Sequence, residues 1–275
     1  MISDEIQELE NRAAAAVNRQ ERIDCLNALA WALHRRDIER GMTLAEEAFR
    51  LCYTGEYAKA PYQRGLADSL LAMARLHLRR AQHDLALGKA QEAQSLCHEL
   101  HHTLGLARAL GVIGITNCRL GRYDAAVTVL FEELRLFQQI SDRFGEAEAY
   151  NHIGVAYASA GESQRALYYF DQSLQIDREV GNRYGEAILL HNIGTYHAGL
   201  GRYPEALEYG AHSLEIFRDI HDRAGQALAL SGIGETLSHL GEFREALVYL
   251  QDAWQINHHL GLVSPAIHNL QIIGL

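Results

Sequence analysis

The sequence predicts an all-α chain, a solenoid of antiparallel helix hairpins. Three observations predict it. Three glycine series recur every forty residues: Gly65, Gly105, Gly145, Gly185 and Gly225; Gly121, Gly161, Gly201 and Gly241; and Gly114, Gly154, Gly194 and Gly234, extended by Gly274. Between the glycines, apolar residues recur at spacings of three and four, as on one face of a helix, and do not alternate as in a strand. Hydrophobic residues make up 48% of the 275 positions, with only three prolines, a mix that favours helix.

The elements follow in order. Residues 1–22 form a leading helix, using Ile2, Ile6, Leu9 and Val17. The solenoid spans 23–275, with repeats at 23–64, 65–104, 105–144, 145–184, 185–224 and 225–264 and a partial one at 265–275. In the first hairpin, "CLNALAWALHRRDIERGMTLAEEAFRLC", the turn is expected near Arg40–Gly41, and "TGEYAKAPYQR" is the linker after it. In the second, Ala81 replaces the turn glycine. A long first helix, Leu66 to Leu87, and a shorter second one, Ala90 to His101, are therefore expected. The end "SPAIHNLQIIGL" reads as the start of another first helix with no second helix after it. The chain is accordingly read as part of a longer protein. The alternative is a natural stop in which this helix caps the stack.

Within a repeat, Gly154 sits inside a helix, where glycine costs roughly 1 kcal/mol against alanine. That cost implies close approach of a neighbouring helix, and Ala126, Ala166, Ala206 and Ala246 supply a matching small position. Gly161 and its equivalents fall in the turn, where glycine adopts a positive φ. Three large columns of the second helix read as core: Leu134, Leu174, Leu214 and Trp254; Leu136, Ile176, Ile216 and Ile256; and Ile140, Val180, Ile220 and Leu260. A single hairpin cannot bury both faces, so stacking is obligatory. In the linkers "SDRFGEA", "GNRYGEA" and "HDRAGQA" the short polar residue caps a helix. Arg143, Arg183 and Arg223 are placed to pair with the C-terminus of the helix before them.

These motifs resemble the tetratricopeptide repeat, whose pattern is W-x2-LG-x2-Y followed by A, F and A in the second helix. "YNHIGVAY" sets Tyr150, Ile153, Gly154 and Tyr157 on the first four positions, Ala166 and Phe170 follow, and Ser173 replaces the last alanine. "LHNIGTYH", "LSGIGETL" and "LGVIGITN" keep the glycine but put His197, Leu237 and Asn117 where the tyrosine belongs. The family's usual period is about 34 residues, while HEAT and armadillo repeats span about 40 to 47. The glycine-and-alanine motif favours the former, in a long-repeat variety similar to those of kinesin light chains and bacterial regulatory proteins. The resemblance implies a right-handed superhelical solenoid.

Little in the sequence suggests catalysis. The N-terminus "MISDEIQELENR" is acidic and unlike a signal peptide. No run of 18 apolar residues is present, so no membrane contact is expected. A formal charge of −10 argues against a nucleic-acid partner. Cys25, Cys52, Cys97 and Cys118 lie far apart, as in a reducing, cytoplasmic compartment. In "CHELHH", His98 and His102 are one helical turn apart, but further metal ligands cannot be placed, and an exposed polar face explains the cluster better. HExxH, a phosphate loop and GxSxG are all missing. No enzyme activity, cofactor or metal is expected.

Function is expected on the concave face that the first helices line. One column there holds Gly111, Asn151, His191 and Ser231; a second, Ile115, Val155, Thr195 and Glu235; a third, Cys118, Ala158, Ala198 and Ser238. Nearer the helix starts lie Arg108, Glu148, Ile188 and Leu228. These columns vary while the packing columns hold. The candidate binding residues are Arg108, Ile115, Asn117, Glu148, Asn151, Val155, His191, Thr195, Ser231 and Glu235, with Asn151 foremost because a carboxamide meets a peptide backbone as both donor and acceptor. A non-enzymatic scaffold binding a protein or peptide follows. The resemblance implies a regulatory module of a larger bacterial signalling protein. Self-association through the terminal helices and a small-molecule-sensing groove are the alternatives.

Overall fold

The structure, a computed structural model, describes residues 2–34 and 37–260. Short polar side chains start many of its helices. Asn18 accepts from the Glu21 amide at 2.8 Å and Asp37 from the Arg40 amide at 2.9 Å. Asp142, Asn182 and Asp222 do the same for the amides of Gly145, Gly185 and Gly225, as the linker pattern predicts. The helices are α1 (Ile2–Ala15), α2 (Arg19–Leu33), α3 (Ile38–Leu51), α4 (Gln63–Arg79), α5 (His83–Glu99), α6 (Thr103–Arg119) and α7 (Tyr123–Gln139). They continue as α8 (Arg143–Ser159), α9 (Ser163–Glu179), α10 (Arg183–Gly199), α11 (Tyr203–Asp219), α12 (Arg223–Leu240) and α13 (Phe243–His259), with a single 3₁₀ turn at Gly55–Tyr57.

Hairpin turns use the left-handed backbone. Gly121, Gly161, Gly201 and Gly241 have φ of 74°, 81°, 73° and 84°. Ala81 takes the same conformation, φ 57°, without being glycine. The expected helix Leu66–Leu87 is therefore broken: α4 ends at Arg79 and α5 begins at His83 rather than Ala90. Burial on both sides of the turn, from Leu76 to Ala86 and Ala90, outweighs the strain at one alanine.

Three further expectations at this end are corrected. The leading helix stops at Ala15, because Asn18 caps a new helix, and Val17 is 92% exposed instead of packed. The first hairpin turns before Ile38, where Asp37 caps α3, and not at Arg40–Gly41. Gly41 lies inside α3, where an added Cβ would sit 3.0 Å from Leu76. Its role is close approach, not a turn. The segment "SPAIHNLQIIGL" lies outside the described residues.

Glycines inside the first helices receive second-helix side chains. An added Cβ would stand 2.3 Å from Leu130 at Gly114, 2.5 Å from Phe170 at Gly154 and 2.7 Å from Leu250 at Gly234. At Gly194 the facing residue is Gly210, and the nearest atom is 3.1 Å away. Ala126, Ala166, Ala206 and Ala246 are buried beside these contacts. The columns of Leu134 and Leu136 are core, Trp254 being half-buried. The column of Ile140 is not: Ile140 is 37% and Leu260 45% exposed, because this position is the helix C-cap. The column three residues earlier does the packing. Phe137 and Phe217 lie flat on Gly145 and Gly225, each 2.1 Å from a hypothetical Cβ.

Asp177 occupies that same column between them in sequence. Burial pushes its carboxyl up to about 6, with the Glu186 carboxylate adding to the rise and the Asn182 amide, donating at 2.7 Å, opposing it. Arg183 does not reach back to the end of α9. It donates to Glu186 at 2.6 Å and lies 3.7 Å from Asp219, while Arg223 donates to Gln226. Ser173 and Ser213 donate to the Ala147 and Ala187 carbonyls at 2.8 Å, which explains a hydroxyl where the repeat favours alanine.

Contacts divide the chain into two compact units, Met1–Gly145 with Val155–Glu162, and Glu146–Gly154 with Ser163–Leu275. In the first, α2–α3, α4–α5 and α6–α7 are hairpins, and α2, α4 and α6 touch in succession. In the second, α10–α11 and α12–α13 are hairpins, and α10 touches α12. Successive second helices make no comparable contact among the described residues. First helices therefore form the inner layer of each unit.

Two outcomes follow from these contacts. Ala81→Gly relieves a left-handed alanine and should stabilise the fold by about 0.5–1 kcal/mol in urea unfolding. Gly154→Ala must displace buried Phe170 and should cost about 2–3 kcal/mol, whereas Gly194→Ala should fall within about 1 kcal/mol of the parent. Equal effects of the two would refute the packing account.

Candidate functional site

In the first unit, the inner faces of α2, α4 and α6 present Asp24, Ala28 and Trp31, then Asp68 and Arg75, then Arg108 and Ile115. Arg108 and Ile115 are partly exposed there, as the sequence predicts. Asn117 is not on this face. It is buried in the column of Tyr157, His197 and Leu237, and its carbonyl accepts from the Leu120 and Arg122 amides at the hairpin turn. Trp31 packs on the core around Leu70 and Leu71, and two guanidinium carbons lie over its ring, Arg75 at 4.1 Å and Arg108 at 4.8 Å. The carboxylates nearby are engaged: the Tyr62 hydroxyl donates to Asp24 at 3.1 Å, and Asp68 meets His102 at 3.4 Å and Arg64 at 4.0 Å. Farther along α2, an open depression of about 590 Å³ is lined by Leu9, Arg12, Asp24, Ala28 and Tyr57 among others.

In the second unit, α10 and α12 carry His191, Thr195, Ser231 and Glu235, and α8 carries Glu148 and Asn151; Val155, farther along α8, falls in the first unit. All but Thr195 are half-buried, and Thr195 is exposed. The Asn192 carboxamide donates to Asn151 Oδ1 at 3.0 Å, so the two carboxamides act as a pair. Thr195 and Ser231 donate to carbonyls one turn back, His191 and Ala227. His191 leans toward α12, where the missing side chain of Gly232 makes room: a Cβ there would lie 3.1 Å from the imidazole. Burial pushes the His191 imidazole down to about 4. It is neutral at physiological pH, with one donor and one acceptor nitrogen. Glu148 lies 4.0 Å from His152.

Trp31, Arg75 and Asn192 were not among the expected residues. Arg75 was visible as the residue forty before Ile115. Trp31 and Asn192 carry no repeat signal, since the columns they share hold no common residue type. Around "CHELHH", Cys97 is buried under Gly105 with its thiol pushed up to about 12 by burial. No three His, Cys, Asp or Glu among the described residues are placed to share a metal ion. None of the described helices is long and apolar enough to cross a membrane.

A sequence profile described as Tetratricopeptide repeat matches residues 105–179 and 185–256, more than half of the chain. The chain belongs to the tetratricopeptide repeat family. A search of curated proteins finds no match. Solved structures share the repeat fold at low identity. NprR in complex with its cognate peptide NprX is 14% identical, with a TM-score of 0.71 over 98% of this chain and 78% of that one. Rap protein complexed with Competence and Sporulation Factor is also 14% identical, with a TM-score of 0.66 over the same shares. Aspartyl phosphate phosphatase F from Bacillus subtilis is 16% identical, with a TM-score of 0.64, and this tetratricopeptide repeat chain covers 61% of its length.

The shift at His191 sets a pH dependence. Its folded value lies below the ordinary one, so the folded protein binds fewer protons than the unfolded chain between about pH 4 and 6.5. The stability it carries is present above that window and is lost as pH falls through it. His191→Gln should remove about 1–2 kcal/mol of the loss between pH 7 and pH 5, after allowance for partial exposure of the ring. Urea unfolding at both pH values measures it, and an unchanged difference would contradict the burial argument.

Proposed function

We propose that this chain is a non-catalytic, peptide-binding regulatory module, and that an extended peptide lies on the first-helix face of the second unit. The observation that carries the reading is the division of labour within the repeat. Glycine and large apolar columns hold from repeat to repeat, while the inner column runs Gly111, Asn151, His191, Ser231. Part of that variation is packing, Gly111 against Glu133 and His191 against Gly232; at Asn151 recognition of a ligand accounts for it. The Asn151–Asn192 pair offers carboxamide donors and acceptors to a peptide backbone, and neutral His191 adds one of each. Glu148, Val155, Thr195, Ser231 and Glu235 line the same helices, and Arg108 and Ile115 hold the corresponding columns of the first unit.

Two of the similar structures support a binding role, since NprR is described in complex with its cognate peptide NprX and Rap with Competence and Sporulation Factor. A place in a larger signalling protein is supported by the signal-transduction ATPase of Pyrococcus horikoshii, described as having a tetratricopeptide repeat sensor. It is 13% identical, with a TM-score of 0.69 over 95% of this chain and 38% of that one.

Affinity capture of partners on immobilised protein tests the reading. Replacing both Asn151 and His191 by alanine should lower capture about tenfold, the scale of one or two hydrogen bonds lost from a desolvated site, with helicity unchanged by circular dichroism. Capture unaffected by the double substitution would rule out this face as the site.

A further inference from the structure

The joints between successive hairpins share one construction and differ at one position. At two of them an aromatic ring lies on a glycine backbone, Phe137 on Gly145 and Phe217 on Gly225. At the α9–α10 joint Asp177 takes that place, and both of its carboxyl oxygens stand 2.6 Å from where a Cβ of Gly185 would be. Asp177 is only 4% exposed. Its hydrogen-bond partner among the described residues is neutral, the Asn182 carboxamide, which donates at 2.7 Å. The same carboxamide caps α10, its oxygen accepting from the Gly185 amide at 3.1 Å.

The charges around Asp177 do not neutralise an anion there. From α10 it faces Glu186, and from α8 it faces Glu148, which lies 4.0 Å from His152. The cations of the joint are engaged elsewhere. Arg178 and Arg183 donate to the two oxygens of Glu186 at 2.8 and 2.6 Å, and Arg183 also lies 3.7 Å from Asp219. A buried carboxylate facing two others is unfavourable, whereas a protonated carboxyl is a neutral hydrogen-bonding group. Burial, helped by Glu186 and Glu148 and opposed by Asn182, holds the Asp177 carboxyl at about 6.

We propose that the α9–α10 joint is an acid-closed switch: it is packed when Asp177 carries a proton and opens locally, releasing the first turn of α10, when Asp177 is ionised. The link to α10 is Asn182, which holds Asp177 and the helix cap with one side chain. Opening returns the carboxyl to water and to the ordinary carboxylate range, so the packed joint binds more protons than the open one. Packing is favoured fully below that range and loses the contribution as pH rises through about 6. His191, on the same helix, is held neutral by burial and acts in the opposite sense, so its titration cannot produce an opening that grows with pH. The switch does not rest on the peptide-binding reading.

Native-state hydrogen exchange of the full chain tests it. Amides 176–188 are compared with amides 216–228, at the Phe217 joint, after correction for intrinsic exchange rates. Between pH 5 and pH 7, opening of 176–188 should grow about tenfold relative to 216–228. Asp177→Asn keeps the shape without the charge, and Asp177→Phe restores the ring on glycine. In both, the ratio should change by less than about twofold, whereas a pH dependence arising from any other group would survive. A parent ratio that is flat or falls with pH overturns the proposal. The parent's rise retained in a variant that circular dichroism shows to be folded also overturns it. If neither variant folds, the carboxyl ¹³C resonance of Asp177 in the parent decides: a midpoint in the ordinary carboxylate range overturns the proposal, and one near pH 6 upholds it.

Discussion

The contact on which the structure depends is a second-helix side chain seated against the bare backbone of a first-helix glycine. Leu130 meets Gly114, Phe170 meets Gly154 and Leu250 meets Gly234 so closely that no Cβ fits between them. At Gly194 the facing residue is Gly210, whose missing side chain is met instead by Ile233, 2.9 Å from where a Cβ would stand. Closing each hairpin this way brings the two helix axes near enough for the next hairpin to stack. A second contact of the same kind, Phe137 on Gly145 and Phe217 on Gly225, joins one hairpin to the following one. With closure and stacking assigned mainly to buried columns, the inner face carries fewer structural contacts.

Much of this was legible in the sequence, because steric exclusion leaves a signature that recurs. Glycine columns, the capping Asp142, Asn182 and Asp222, and the left-handed turn glycines each answer to a single local requirement. What was illegible came from tertiary forces overriding a local rule. Ala81 adopts a glycine conformation because buried residues on either side fix the turn. Gly41 signals a turn by composition but serves interhelical approach. Val17 continues an apolar pattern past the point where Asn18 has started a new helix, and Ile140 is apolar at a C-cap that the stack leaves half open. At the candidate site, the repeat register located the inner face but misplaced Asn117. It also missed partners that only three dimensions bring together, Trp31 with Arg108 and Asn192 with Asn151.

The two inner faces divide recognition chemistry between them. The second unit offers carboxamides and a neutral imidazole, groups able to donate and to accept. The first sets the guanidinium groups of Arg75 and Arg108 over the ring of Trp31. A family fold shared by many proteins cannot carry such a distinction. It resides in residues that vary within one scaffold, which is where a repeat architecture permits change at little structural cost.

Asp177 has a consequence of another kind. Its column belongs to aromatic residues in the neighbouring repeats, yet here a carboxyl group is enclosed beside Glu186 and tied to Asn182. Where other joints of the solenoid are sealed by oil alone, this one is sealed best with a proton in it. Protonation of Asp177 therefore favours the packed α9–α10 junction, and that contribution to stability is lost as pH rises through about 6.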